Sequence, residues 1–413
     1  MRDHLAAVVR SVVETRESCS GCGGCERVSA RISMRLDSSG QLRPSITRRR
    51  SVDRQEARND KAEAALFKRV CPGRLVRLPG EPDRRHHDVM GEYVQAFSGE
   101  ATDPTTRHEG SSAGVLTAIS TWLLETDRSK GVLTATSDPR SPRHTVPVKI
   151  TTRDEALRTA GSRYAPVSMA GRSDLQANDA FVGKPCEVAA MRALDSNNSF
   201  DADRRPYLSF FCAGTPSQHD TDRLVEFLGG SPAEVTSLRY RGRGAPGDFS
   251  YTDPYGSGAL SYAESWGVHL GKSLPWRCKL CPDGTGGVAD IAVGDYWEAD
   301  TAGFPILSET GGTSIVIART HRGLAWLRAA ANDGVITLRP LNLDKVAATQ
   351  PLQRERKLTL WWRLAGRMLA GRPVPSYRGF RLSRVATRNP REVLRAFGGT
   401  LRRSVPRFAT GKK

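Results

Sequence analysis

Apolar positions recur along this chain with two different periods. Between residues 111 and 125, Val115, Leu116, Ile119, Trp122 and Leu123 share one face at helical spacing, and Ser111 and Ser112 stand where a cap belongs. The spacing predicts a helix over 111–125, with further helices over 186–194, 221–228 and 323–331. Compact apolar runs predict strands at 131–136, 146–151, 207–212, 289–293 and 314–319. Helix and strand signals alternate through the middle of the chain, which predicts a mixed α/β (α+β) body and excludes an all-helical or all-β one. No internal repeat is visible.

The 413 residues are enough for two or three domains, and 38% hydrophobic with 26% charged residues is the composition of a globular chain. The longest apolar run, 114–124, is too short to span a membrane, and the run at 5–9 lacks the features of a signal-peptide core. The expected location is the cytoplasm, where thiols stay reduced. Charge is uneven. Residues 351–413 hold 17 Lys and Arg against two Glu, nearly all of the net +18. In that tail Leu358, Trp361, Trp362, Leu364, Met368 and Leu369 recur at helical spacing with arginines between them. A basic amphipathic helix of this kind either touches anionic membrane peripherally or packs on the body with its arginines in water. The packed reading is favoured, because a charge run is usually a solvated face. Deleting the tail is then expected to spare cofactor content. No nucleic-acid-binding motif is present, so no nucleic acid partner is expected. A second basic stretch, 43–58 with Arg48, Arg49 and Arg50, reads as an exposed loop or a polar helix.

Eight cysteines carry the chemistry. Cys19, Cys22 and Cys25 follow i, i+3, i+6 spacing with glycines between, and Cys71 is followed by Pro72. This is close to the ferredoxin run, in which glycines let the backbone wrap three thiolates around a cubane and a distant Cys-Pro supplies the fourth. Structural zinc sites pair their ligands two and two, so the triplet favours a [4Fe–4S] cluster. Cys186, Cys212, Cys278 and Cys281 remain. Each can be an inert buried thiol, and Cys278/Cys281 can be a redox dithiol, but the division into four and four favours a second cluster. There is no G-x-S-x-G, H-E-x-x-H or Walker loop, which argues against a hydrolase or nucleotidase.

At these residues the chain resembles the coenzyme F420 hydrogenase/dehydrogenase β-subunit family. The resemblance is carried, in order, by Gly110–Ala118, Gly161–Ser168, Val182–Arg192, Ser209–Gly214, and Arg277–Asp283 with Ala289–Trp297. Together with the cysteine run it covers roughly residues 19–320. It departs from relatives that carry a fourth nearby cysteine: Glu26-Arg27-Val28-Ser29 occupies that stretch, so Cys71 completes the first set or the set stays incomplete. The resemblance implies bound FAD, one or two [4Fe–4S] clusters, and coenzyme F420 as cosubstrate. It also implies a redox partner protein, either ferredoxin or a hydrogenase or dehydrogenase subunit. The expected layout is a ferredoxin-like iron–sulfur segment at 1–85, family N-terminal and C-terminal domains at 90–175 and 176–350 forming a flavin-binding body, and the basic helical tail at 351–413.

For flavin, three loops are the candidates. Gly110, Ser111 and Ser112 would present helix N–H groups to a pyrophosphate, though an ordinary capped helix looks the same. Ser162, Arg163 and Tyr164 offer hydroxyls and a cation toward phosphate or ring, or form a turn. Gly183 and Lys184 place a cation beside Cys186. Asp290 and Asp295 either orient a small-molecule substrate or cap loops, and His269 has no assigned role. The expected function is an oxidoreductase relaying electrons between F420 and one-electron carriers. The alternatives are a ferredoxin-dependent reductase of an unsaturated biosynthetic substrate, and a zinc-stabilised nucleic-acid- or membrane-binding protein.

Overall fold

The protein is described from a computed structural model covering residues 3–47, 53–197, 204–297 and 312–405. Its centre is an eight-stranded mixed sheet. In spatial order the strands are Ile336–Pro340, Gln95–Ala101, Ser314–Ala318, Ile291–Asp295, Tyr207–Phe210, Ala180–Gly183, Val132–Asp138 and Ser141–Ile150. The four from Ile291–Asp295 to Val132–Asp138 run parallel, and those flanking them pair antiparallel. Parallel strands need crossovers that cover the sheet. The helix Pro185–Asn197 makes one, burying Val188, Met191 and Leu194. The helix Val115–Glu125 packs on the sheet through Ile119, Trp122 and Leu123, and Trp122 donates its indole N–H to Asp333 at 2.8 Å.

The parallel strands end together at Asp138, Gly183, Phe210 and Asp295. Ligands of open α/β sheets collect at such carboxyl ends, where the chain leaves the sheet in loops. Beside this edge stands a smaller three-stranded sheet, Ser237–Arg239, Phe249–Asp253 and Gly256–Leu260, with its own core around Tyr240, Phe249 and Leu224.

The N-terminal region shares its core with the body. The helix His4–Arg10, the hairpin Ile32–Leu36/Leu42–Ile46 and the helix Arg54–Val70 pack Leu5, Val9, Phe67 and Val70 into one cluster with Met191, Leu194 and Phe181. Asp60 is almost fully buried and accepts from the backbone N–H of His4 at 2.7 Å and from Arg31 at 3.2 Å, tying the two helices and the chain before the hairpin together. The boundary expected near residue 85 therefore coincides with no break in packing. The basic stretch is the strand Leu42–Ile46 followed by the first turn of the helix Arg54–Val70, while Arg48, Arg49 and Arg50 lie outside the described residues.

The C-terminal residues are also part of the body, as the packed reading expects, but through a different face. The helix Pro351–Leu369 buries Gln353, Lys357, Leu360, Leu364 and Arg367, while Trp361, Met368 and Leu369 are exposed. Arg367 is wholly buried, with its guanidinium on the backbone oxygen of Arg16 at 2.9 Å and on Glu17 at 2.8 Å. A second helix, Pro390–Ser404, packs against it so closely that a Cβ at Gly366 would stand 2.6 Å from the oxygen of Phe397. Among the described residues no helix is long and apolar enough to cross a membrane.

Candidate functional site

The four N-terminal cysteines line one small cavity with Val9, Val12, Met34, Phe67 and Val70. Two local devices bring them there. The loop at 19–25 turns through Gly23, whose φ of +82° favours glycine and where a Cβ would overlap the Ser168 hydroxyl. Cys71 arrives at the end of the helix Arg54–Val70, its N–H bonded to the Phe67 oxygen at 3.0 Å. Burial pushes the Cys22 thiol up to about 11 and raises Cys25 and Cys71 as well, with the neighbouring thiols adding to the effect. A dry pocket resists four crowded thiolates unless a cationic group neutralises them, which is what iron in a cluster does.

The second four stand on three different elements and feel one another's charge. Cys186 begins the helix Pro185–Asn197, Cys212 follows the strand Tyr207–Phe210, and Cys278 and Cys281 flank the end of the short helix Trp276–Lys279. Cys212 is pushed up to about 12 by burial and then by Cys278 and Cys281, and Cys186 is raised by burial and Glu187. All eight cysteines are free. Among the described residues no group of three or more His, Cys, Asp or Glu closes on a single metal ion.

A cavity of about 320 Å³, principal by its place at the sheet edge although another of about 700 Å³ lies elsewhere, opens at the carboxyl ends of the parallel strands. Its lining includes Gly110, Ser111, Ser112, Ser162, Arg163, Tyr164, Gly183 and Lys184, so the three candidate loops meet at one place. The details differ from expectation in two of them. The helix begins at Val115, after Gly114 at φ +69°, so residues 110–113 form a loop over the cavity and do not open the helix. The Ser162 hydroxyl donates to Ser111 Oγ at 2.8 Å and joins this loop to the next. Arg163 does not reach toward phosphate or ring. Its guanidinium donates to the backbone oxygens of Leu238, Pro142 and His144 and to Thr145, because the neighbouring strand ends offer unmet carbonyls.

A further buried cation of the cavity lining is Arg241, which the sequence reading missed. It is 2% exposed and pairs with Asp295 at 2.7 Å. It also contacts Tyr164 Oη at 3.3 Å and lies over the Tyr262 ring. The available signal was its setting, Arg241-Gly-Arg-Gly-Ala-Pro-Gly, a glycine-rich basic loop. Burial disfavours its charge, but Asp295 with Tyr164 and Tyr262 outweighs that and raises its pKa. Asp295 thus belongs to the cavity, and Asp290 does not. Asp290 is buried among Arg192 at 3.1 Å, Arg322 at 2.7 Å and the Tyr207 N–H at 2.9 Å, and holds the strand ends together. His269 stacks on Phe227 away from the cavity lining.

Lys184 links cavity and thiols. Its ammonium is buried 2.9 Å from Glu187, and although burial opposes the charge, Glu187 and then Cys186 and Cys212 raise its pKa. Cys212 itself lines the cavity, so the cavity wall and the second thiol set share a residue.

Comparison with known proteins identifies the family. The two models for the beta subunit of coenzyme F420 hydrogenase/dehydrogenase, one for its N-terminal and one for its C-terminal part, match residues 96–171 and 177–344. The chain belongs to this family. It is an oxidoreductase of the F420 hydrogenase/dehydrogenase β-subunit type. A curated relative, the coenzyme F420 hydrogenase subunit beta of Methanothermobacter thermautotrophicus, is 22% identical over 299 residues, covering 70% of this chain and 99% of the relative. A chain in the F420-reducing [NiFe] hydrogenase complex from Methanosarcina barkeri has a similar fold, with a TM-score of 0.50 at 21% identity, over 66% of this chain and 91% of that one. The first thiol set and the C-terminal helices lie outside the two matched stretches of this β-subunit-type chain.

Proposed function

We propose that this protein relays electrons between coenzyme F420 and one-electron carriers, with FAD in the principal cavity and [4Fe–4S] clusters on the two thiol sets. When bound, the flavin exchanges hydride as an electron pair and the clusters pass electrons singly, the redox chemistry being the cofactors' own. The residues present suit these groups. Glycines and serines of the 110–114 and 161–162 loops leave room for close backbone approach, Arg241 and Lys184 supply buried positive charge, and Tyr164, Tyr262 and Trp266 supply flat apolar walls. The observation that carries the reading is Cys212, which belongs to the cavity wall and to the second thiol set at once.

The relatives are named as belonging to hydrogenases, which supports a second redox protein as the electron partner. Anoxically prepared protein is expected to be brown, to carry iron and sulfide in cluster amounts, and to release flavin on denaturation. Stopped-flow mixing with reduced F420 is expected to bleach the flavin absorbance. A colourless preparation, or flavin that reduced F420 leaves oxidised, overturns the reading.

A further inference from the structure

A second cavity, about 700 Å³, lies toward the other end of the central strands. Val288 and Asp290 line it, just before the strand Ile291–Asp295, whose far end borders the principal cavity. One wall is a face of the helix Pro185–Asn197, with Ala189, Arg192, Ala193 and Ser196 at helical spacing. The other wall is the strand Leu75–Arg77 and the chain that follows it as far as Glu81. Both walls start beside cysteines. Cys71 stands between Arg69 and Leu75, two lining residues, and its backbone oxygen accepts from the Leu75 N–H at 3.0 Å. Ala189 lies about one helical turn beyond Cys186.

Charge is distributed unevenly over this cavity. Inside it is matched: Asp290, almost wholly buried, pairs with Arg192 at 3.1 Å and with Arg322 at 2.7 Å. At the rim it is not. Arg69 and Arg77 line the cavity and are exposed. Arg69 donates to a neutral group, Asn197 Oδ1, at 2.9 Å. Arg77 stands in register with Arg378, also exposed, in the parallel pairing of Leu75–Arg77 with Ser376–Arg378. Like charges side by side repel, and among the described residues no carboxylate pairs with either. Glu81 is the acid on this side, held by the His321 N–H at 2.8 Å, against three rim cations.

A small anion entering the cavity would meet Asp290 and guanidiniums already paired. Unmatched charge spread over an exposed rim suits a broad acidic surface instead, which long-range attraction steers into place. A second copy of this chain would bring like charges together. We propose that this basic rim is the docking site of an acidic one-electron carrier protein, which exchanges electrons with the cluster of the first set beside Cys71. This deepens the relay reading and rests on it for the electron step, while the docking stands on the charge and shape of the rim. One electron passes per encounter: the cluster is oxidised as the carrier is reduced, and no bond, proton or leaving group moves. Redox encounters of this kind have small contact areas, so electrostatics carries much of the recognition and salt weakens it.

The test uses the full chain prepared without air, as wild type, R69E/R77E/R378E and the charge-preserving R69K/R77K/R378K. R391E/R395E, exposed on the helix Pro390–Ser404, is the control for charge in general. The probe is a [2Fe–2S] ferredoxin of net negative charge. Iron is measured first. Affinity for the oxidised ferredoxin is then read by calorimetry at low and high salt, and ferredoxin reduction by stopped flow after the enzyme has been reduced with F420. Reversing the rim charge is expected to weaken binding at least roughly tenfold and to remove most of its salt dependence, with electron transfer slowed to match. The lysine variant and the control are expected to bind like wild type, and flavin bleaching by F420 is expected to be the same in all four. Equal affinity in wild type and R69E/R77E/R378E, an equal loss in R391E/R395E, or no binding by wild type overturns the proposal. Inorganic phosphate that raises the melting temperature of wild type but not of R69E/R77E/R378E, with ferredoxin affinity equal in both, makes the cavity a small-anion pocket and overturns it too. If the glutamate variant does not fold, R69Q/R77Q/R378Q takes its place in the same comparison. Wild type that binds ferredoxin through the rim yet holds no iron upholds the docking site and sinks the relay reading, so the two failures are distinct.

Discussion

Lys357 lies in the helix Pro351–Leu369 with its ammonium 3.4 Å from the Pro282 oxygen and near the Phe380 ring. Burial pulls its pKa down to about 8; Asp283 opposes the shift and Arg319 reinforces it. The folded protein therefore holds its proton less well than the unfolded chain. Stability is diminished by this group below about pH 8 and regained as pH rises from about 8 toward 10.5. The full effect is on the order of 3 kcal/mol. The variant K357M is expected to melt above wild type at pH 7, with the gap closing as pH rises through that window. Melting curves across pH check this, and a gap independent of pH refutes it.

At the same scale, two arginines mark the limit of legibility. Arg163 stands in a family-like motif and reads as a ligand residue, yet its donors are spent on carbonyls. Arg241 stands in a glycine-rich loop and faces the cavity. Residue type and spacing are alike for both. Both donate to backbone oxygens, Arg163 to those of Pro142, His144 and Leu238 and Arg241 to those of Pro246 and Ser111; what separates them is that Arg241 also pairs with Asp295 at the end of a central strand, a contact that exists only in the assembled fold.

Among elements, the helix Pro351–Leu369 has the widest reach. Leu352 and Gln353 line the principal cavity, Gln353 donates to the Cys212 oxygen at 3.3 Å, and Arg356 donates to the same oxygen at 3.2 Å and to Ala213. Truncation after residue 350 is expected to lose flavin and the iron of the second set, the reverse of what the basic composition suggests. Flavin and iron content of the truncated protein check this; retention of both would show that the helix is dispensable to the site. The sequence marked this segment as helical and amphipathic with Leu358, Trp361, Trp362, Leu364, Met368 and Leu369 on one face; of these Leu364 is buried, while Trp361, Met368 and Leu369 are exposed. The buried face also carries Gln353, Lys357 and Arg367, polar residues with partners across the chain. The strand Gln95–Ala101 was unreadable for a related reason. Its residues include two glycine-or-serine positions and little β-branched character, and it is a strand because Ser314–Ala318 and Ile336–Pro340 hold it on both sides. The strands at 207, 291 and 314 were readable because central strands are buried and largely apolar, and the strand at 132 was readable through its buried start, Val132 and Leu133.

For the whole molecule, the N-terminal thiol set is framed by residues of one core cluster, with Val9, Val12, Phe67 and Val70 around the cavity and Met191 and Leu194 beyond. Iron removal by a chelator under anoxic, reducing conditions is expected to loosen this end first, since a group bound only to the folded state stabilises it by mass action. Hydrogen exchange should quicken in residues 18–30 and at the end of the helix Arg54–Val70, while the strands Ile291–Asp295 and Ser314–Ala318 stay protected. Uniform quickening across the chain would contradict this. The spacing of Cys19, Cys22 and Cys25 and the Cys-Pro pair were visible from the sequence alone. The sequence also offered Cys71 as the fourth member; what it did not show is the helix Arg54–Val70 that carries Cys71 to the cavity.

Cys212 has its backbone oxygen gripped from outside by Gln353 and Arg356, two residues of a helix beyond the stretches that the family models match. The chain's last portion thus works as a clasp over the inner joint where cavity and sulfur meet. Changes accumulating in that late helix, far from any cysteine in sequence, would be felt first as a change in how readily charge crosses that joint.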